Sequence, residues 1–334
     1  MAFSSGRWHR RRHSILLMVK RRILFLIPLL ILVTLGQFAL ATVSPYDPLD
    51  AYLGGLAAEM TASQQASLSD VLNLDLTWYA AWWEWVTGVL SGNLGISRAY
   101  QQPVTAVISD RLPWTLLLGC TGLIISTSVS FVLGTAAGLK PGSWADRLIN
   151  LFAIILQTVP PFVLALVMLG IFAISFNLLP TGGLTYPGQA ATFSSTLVHL
   201  ILPSLVLGLT QLPWLILSLR ESVKEVLNSD AIRGARVRGI PFPRIVSHHI
   251  IPTALPPFVA LVGSRLAELV AGSVLVESIF SWPGLGSALV RSAQSLDFAL
   301  LTLLTVAVTV LVLLGNLVAD ILFVILDPRV DADA

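Results

Sequence analysis

The sequence predicts an all-α membrane protein with about six transmembrane helices, and three observations carry that prediction. The 334 residues are 55% hydrophobic and only 11% charged, with a mean hydropathy of +0.82, whereas soluble globular domains are about one-quarter charged. Six apolar runs reach the length of about 20 residues that a helix needs to cross a bilayer; they lie at 23–43, 114–139, 148–176, 197–219, 253–276 and 298–326. The basic residues gather in an N-terminal tail and in one polar island.

The tail, GRWHRRRHSILLMVKRR, places Arg7, Arg10, Arg11, Arg12, Lys20, Arg21 and Arg22 ahead of the first apolar run. The positive-inside rule accounts for such a cluster, and a net charge of only +2 makes nucleic-acid binding a poor reading of it. Basic residues before an apolar stretch ending near Ala39-Leu40-Ala41 also resemble a secretory signal. The run is longer than the 7–15 residues of a signal core, so a retained span is the expectation.

An even number of spans puts both termini on one side, and the tail makes that side cytoplasmic. The loop 44–113 is then outside, with seven acids (Asp47, Asp50, Glu59, Asp70, Asp75, Glu84 and Asp110) against Arg98 and Arg111. Within it, TWYAAWWEWV sets Trp78, Trp82, Trp83 and Trp85 at spacings that bring several to one side of a helix. An interfacial anchor or a packed helix is the expected role, with an aromatic substrate platform as the alternative. The connection 140–147 falls inside and the charge-free loop 177–196 outside.

The second inside connection is the polar island 220–257, RESVKEVLNSDAIRGARVRGIPFPRIVSHHIIPTALPP, with Arg220, Lys224, Arg233, Arg236, Arg238, Arg244 and three acids. Each charge near a bilayer centre costs about 2.5–3.5 kcal/mol on insertion scales, so this segment stands in water. From Arg220 a helix is expected, with Val223, Val226 and Leu227 on one face and Glu221 three residues from Lys224. Asn228-Ser229-Asp230 offers a break and a new N-cap for a second helix over 231–238. Gly239 suits the left-handed closing position, and Pro241 and Pro243 force a turn before a further helical piece from Arg244. Six residues would suffice to join two spans, so about 30 point to a docking element, with a basic loop lying on the lipid surface as the equal alternative.

Within the fifth run, Arg265 and Glu268 lie three apart on one helical face, where an isolated charge is expensive. They read either as a mutually neutralising pair that fixes packing or as part of a polar path for a charged substrate. Asp320, near the end of the last run, reads as interfacial. Cys120 alone builds no disulfide or cysteine metal site and is expected to be a small buried side chain. None of His9, His13, His199, His248 and His249 forms the i, i+4 carboxylate-bearing pair of a zinc hydrolase, and no nucleophile has its base beside it.

Three motifs carry a family resemblance. They are DAIRGARVRG in the island, LVESIFSWPGLGSALVRSAQSLD between the last two runs, and SGNLGISRAYQQPVTAVISDRLPWTLLLG at the entry to the second. With the end NLVADILFVILDPRV, including Asp327-Pro328-Arg329, they cover residues from about 70 to 330. The chain resembles the permease subunits of ATP-binding-cassette importers, in the dipeptide, oligopeptide and nickel group. It departs from that group after the first span, where Val43-Ser44-Pro45-Tyr46-Asp47-Pro48 stands in place of a His-x-x-Pro-Gly-Asp-Pro pattern.

The resemblance implies a type I ABC transporter transmembrane domain over 103–326, with a cytoplasmic coupling loop at 220–257. It is preceded by a tail, first span and extracytoplasmic loop over 1–102 and followed by a short cytoplasmic tail, 327–334. It implies a non-catalytic permease in a bacterial or archaeal inner membrane, forming half of a path for di- or oligopeptides. The implied partners are a second permease, two ATPase subunits or domains and an extracytoplasmic binding protein, besides membrane lipid. ATP and Mg would sit on the ATPases, with no cofactor on this chain, which lacks the G-x-x-x-x-G-K-[ST] phosphate loop; its nearest glycines, Gly138 and Gly142, have the wrong spacing. ATPase coupling would fall to Asp230, Ala231, Ile232, Arg233, Gly234, Ala235, Arg236, Val237, Arg238 and Gly239, with Arg233 where the family's loop starts with glutamate. The signature would be Glu277, Phe280, Trp282, Pro283, Gly284, Leu285 and Gly286. Arg265 and Glu268 are the candidates for the substrate path. Nickel or a metal chelate is the alternative cargo. An ion-driven secondary transporter is the alternative of another class; the internal repeat expected of it is not found, and a long docking-type loop has no purpose there.

Overall fold

The computed structural model describes residues 5–43, 60–71, 76–97, 99–295 and 297–326. The acids Asp47, Asp50, Glu59 and Asp75, the departing pattern from Ser44 to Pro48, and Asp327-Pro328-Arg329 with the tail 327–334 lie outside the described residues.

Helices α1 (Ser5–Val43), α2 (Ala62–Val71) and α3 (Trp78–Leu90) come first. The basic tail and first apolar run are thus one continuous helix. A two-stranded antiparallel hairpin follows, β1 (Ile96–Ser97) with β2 (Gln102–Pro103), pairing Ile96 with Pro103 and Ser97 with Gln102. Helix α4 (Val104–Leu139) is the second apolar run.

The third run departs from expectation. Instead of one helix over 148–176, α5 (Trp144–Thr158) and α6 (Pro161–Met168) meet at 104°, and α6 widens to a π-helix over Leu169–Ser175. The cause is the Pro160-Pro161 pair. A residue before proline is driven out of the α region, and Val159 (ψ 119°) and Pro160 (ψ 141°) are extended. Pro161 then starts the next helix, where its missing N–H costs nothing.

Helix α7 (Phe193–Leu227) opens with a capping box in which the Thr192 side chain accepts from Ser195 N. The island follows as α8 (Asp230–Val237), α9 (Phe242–Ile245) and a π-helical stretch (Val246–Ile250) that runs into α10 (Ile251–Ile279). The chain ends with α11 (Leu285–Gln294) and α12 (Phe298–Leu326). Five helical stretches are long and apolar enough to cross a membrane, and the bent α5–α6 pair makes six if it counts as one span.

The chain divides into two compact units. One consists of Met1–Arg22, Thr115–Trp282 and Leu311–Ala334. At its centre α7 packs on α10, and α5 and α6 pack on α7, around Leu212, Leu215, Ile216, Leu219 and Phe258. Glycine allows α4 to approach α7 closely: a Cβ on Gly138 would lie 2.7 Å from the Arg220 carbonyl oxygen and from Val223 Cβ. Arg22 and Asp320 form an ion pair, so Asp320 is tied to the end of the basic tail.

The other unit consists of Ile23–Trp114 and Pro283–Val310. Val104, Val107, Leu285, Ala288, Leu300 and Leu304 form its core. Asp297, fully buried, accepts from Ser97 Oγ (2.6 Å), Ala99 N (3.1 Å) and Leu300 N (3.2 Å), so one carboxylate fastens the hairpin and caps α12. Of the tryptophans, Trp82 donates to Thr34 Oγ1 at 3.0 Å and Trp85 lies 6.0 Å from the Phe38 ring, while Trp83 is exposed. Helix α3 therefore packs on α1 through two of its four tryptophans.

Candidate functional site

The island is built on a hydrophobic anchor. Val223 on α7, Ile232 and Ala235 on α8, Ile245 on α9, and Ile250, Ala254 and Phe258 beyond it form one buried cluster. Helix α8 contributes residues three apart, so one face points inward. The opposite face is open: Ala231, Arg233, Arg236 and Arg238 are exposed, and Val237 is 88% exposed. Asp230 pairs with Arg233 at 3.3 Å in full solvent, an arrangement of little energetic weight. Gly234 is half-buried.

The joints of α8 are defined. The chain breaks at Asn228-Ser229 as the sequence predicts, with Ser229 as N-cap in the extended region, but its hydroxyl donates back to Val226 O (2.7 Å) and does not cap. At the other end Gly239 has φ +72° and its N–H bonds to Arg236 O at 2.9 Å, the expected left-handed closure. The next helix starts at Phe242, two residues before the expected Arg244. Pro241 is its N-cap and Pro243 lies in its first turn, where a missing N–H is harmless. Glu221 and Lys224 pair at 3.1 Å, as their spacing predicts.

Beside α8 lies a cavity of about 430 Å³ lined by Arg238, Arg244, His248 and His249 and by the turn 239–241. No acid lines it. Behind the island stands an ion pair that sequence reasoning missed. Asp146, buried at the start of α5, takes both Arg220 Nε and Nη2 (3.0 Å to the latter), and accepts from Gly142 N at 2.8 Å. The signal was the isolated acid within the short connection 140–147, three residues after the N-cap Ser143.

The signature residues are structural in placement and fall in both units. Glu277, with no exposed surface, accepts from Thr115 Oγ1 at 2.8 Å, and Phe280 and Trp282 are buried with it. Helix α10 ends at Ile279, and just beyond it Ser281 is held at φ +49°, with Trp282 N bonded to Glu277 O at 2.8 Å. The loop 177–192 docks here: Gly183 N donates to Phe280 O at 2.9 Å, and a Cβ on Gly182 would overlap that carbonyl. Pro283, half-buried, with Gly284, Leu285 and Gly286, belongs to the other unit, where Leu285 enters the core. There Arg111 reaches Gly284 O and Ser287 Oγ, both at 3.4 Å, so two of the family-like motifs meet.

Arg265 and Glu268 form an ion pair, and the Arg265 guanidinium also lies 4.9 Å above the Trp214 ring. Arg265 is largely covered, whereas Glu268 is exposed. Cys120 is exposed, against expectation. It lies on a face of α4 that helps line an apolar cavity of about 300 Å³ with α10 and α12.

Comparison with known proteins follows this geometry. Residues 130–332 match the family described as binding-protein-dependent transport system inner membrane component. The oligopeptide transport system permease protein AppB of Bacillus subtilis is 31% identical over 312 residues, covering 93% of this chain and 98% of that protein. The dipeptide transport system permease protein DppB of Escherichia coli is 30% identical over 335 residues, with the same coverage. Among solved structures, the MetNI methionine ABC transporter in its inward-facing conformation superposes with a TM-score of 0.54 at 16% identity, over 67% of this chain and 98% of that one. An amino acid ABC transporter gives 0.50 at 13% identity, over 68% and 95%. These two likenesses concern the fold alone.

Proposed function

The chain belongs to the family of binding-protein-dependent transport system inner membrane components, and from that membership we propose that it forms half of a translocation path for di- or oligopeptides, driven by separate ATPase subunits. A second permease would complete the path and an extracytoplasmic binding protein would deliver the cargo. ATP and Mg would be held by the ATPases and none by this chain. Both termini would be cytoplasmic, with 103–326 as the transmembrane domain between the segments 1–102 and 327–334.

The observation that carries this reading is α8, pinned at Ile232 and Ala235 while Arg233, Arg236 and Val237 face outward. A short helix anchored on one side and bare on the other is suited to a partner's cleft. Asp230 to Gly239 would be the coupling element, passing ATPase closure to α7 and α10 as a rigid displacement. Arg265 and Glu268 would present a carboxylate, backed by an arginine already neutralised, to the charged termini of a peptide.

The test uses the tagged chain in its native membrane. Mild-detergent capture should recover a second permease and ATPases that hydrolyse ATP, and reconstituted vesicles should take up peptide only with ATP. Gly239→Val strains a backbone at φ +72° by about 1–2 kcal/mol where a Cβ meets no atom within 4 Å. It should leave insertion intact while weakening ATPase association. Normal association and uptake in this variant would refute the coupling role.

A further inference from the structure

We propose that the basic cavity beside α8 is a second grip on the ATPase subunit, a site for a carboxylate-bearing segment of that partner. The inference rests on the coupling role proposed above and names a contact outside the α8 helix. Arg244, His248 and His249 belong to α9 and the π-helical stretch, and Arg238 borders them from the end of α8.

Four basic side chains line about 430 Å³ with no acid among them. Arg244 makes no side-chain hydrogen bond or ion pair among the described residues, and Arg238 engages only the Gly234 carbonyl, through Nε at 3.3 Å. Two guanidiniums with open donors are suited to planar, bidentate capture of a carboxylate. The cavity also lies at the N-terminal end of a 38-residue helical stretch, Phe242–Ile279, whose dipole favours negative charge. A lipid phosphate shares this charge, but distance argues against it. Arg244 is nine residues before the apolar run at 253, about 13 Å at 1.5 Å per residue. The headgroup layer is about 5–8 Å deep.

A second grip changes what the first can do. Helix α8 is joined to α7 by the break at Asn228-Ser229 and to α9 by the turn at Gly239. Pulled alone, it can pivot at both joints. A carboxylate held by Arg244 and His249 acts on the same continuous helical stretch as the spanning helix α10, so ATPase motion turns that helix directly.

The experiment uses the complete importer in zwitterionic nanodiscs, with ATPase affinity measured at low and high salt. Arg244→Gln/His249→Gln should weaken ATPase binding tenfold or more at low salt and flatten its salt dependence. Arg244→Lys keeps the charge but gives up the bidentate fork, so its affinity should fall between those of the parent and the neutral variant. In that variant a carbodiimide should join the Arg244→Lys side chain to an ATPase carboxylate. Unchanged affinity and salt dependence in the neutral variant would overturn the proposal, as would equal losses in both variants. In parallel nanodiscs doped with phosphatidylglycerol, loss of its binding in the neutral variant with ATPase affinity unaltered would also overturn it, in favour of a lipid site. Failure of the parent chain to bind any ATPase subunit would instead remove the coupling role on which the proposal stands.

Discussion

Asp146→Asn is the substitution whose effect the structure defines best. Asp146 is 2% exposed and holds Arg220 through two guanidinium nitrogens, linking the start of α5 to α7 directly behind the island. The amide keeps the shape and can still accept from Gly142 N, so the change removes the charge and leaves Arg220, itself mostly covered, facing a neutral group. Breaking a buried pair by removing one partner costs about 3–5 kcal/mol. Arg220 has a second acid, Glu221, which is more exposed, so the lower end of that range is expected. At no more than about 2 °C per kcal/mol for a chain of this size, thermal unfolding in detergent should fall by about 6 °C. Asp146→Asn/Arg220→Gln removes both charges and should recover about half of the loss. A double variant whose loss equals the sum of the two single losses would refute the claim that this pair, and not general packing, holds the bent third span to the fourth.

Two further substitutions separate docking of the loop 177–192 from support of the exposed face of α8. Gly182→Ala places a Cβ into the Phe280 carbonyl and should free the segment 176–192, seen as new protease cleavage there while α7 and α10 stay protected; unchanged cleavage would refute the close approach. Ile232→Ala removes the fully buried anchor of α8 at a cost of about 2–5 kcal/mol. It should lower the peptide transported per ATP hydrolysed by severalfold, and an unchanged ratio would show that α8 needs no anchor.

Much of the fold was legible because the bilayer imposes a simple length rule. The apolar runs located the long helices, and the positive tail located the first of them. What the runs could not reveal was the bend. Composition at 148–176 is predominantly apolar, and only Pro160-Pro161, read as a pair acting on Val159, predicts the 104° break. Cys120 failed for a related reason. Hydropathy reports that a residue avoids water, but a residue facing lipid or another subunit satisfies hydropathy as well as one facing its own core.

The site was legible to different degrees for residues with different physical duties. Gly239 could be assigned from backbone chemistry alone, since a helix followed by Gly-x-Pro must close with a positive φ, and it does. Ile232 and Ala235 follow from their three-residue spacing once α8 has its limits. The outward residues Arg233, Arg236 and Val237 carry no such requirement, because among the described residues Arg233 meets only Asp230 and Arg236 only the Phe242 ring, both within the island, and only resemblance singled them out. The basic cavity was harder still. Arg238, Arg244, His248 and His249 span twelve positions, three kinds of backbone and one left-handed glycine, and no single period brings them together. Gly239 does so by reversing the chain, so the position first noticed as a helix stop also sets the geometry of the charged surface beside it. Gly239→Asn, which tolerates the left-handed region, should therefore spare both grips, whereas Gly239→Val should weaken both. That difference separates backbone strain from loss of a docking contact.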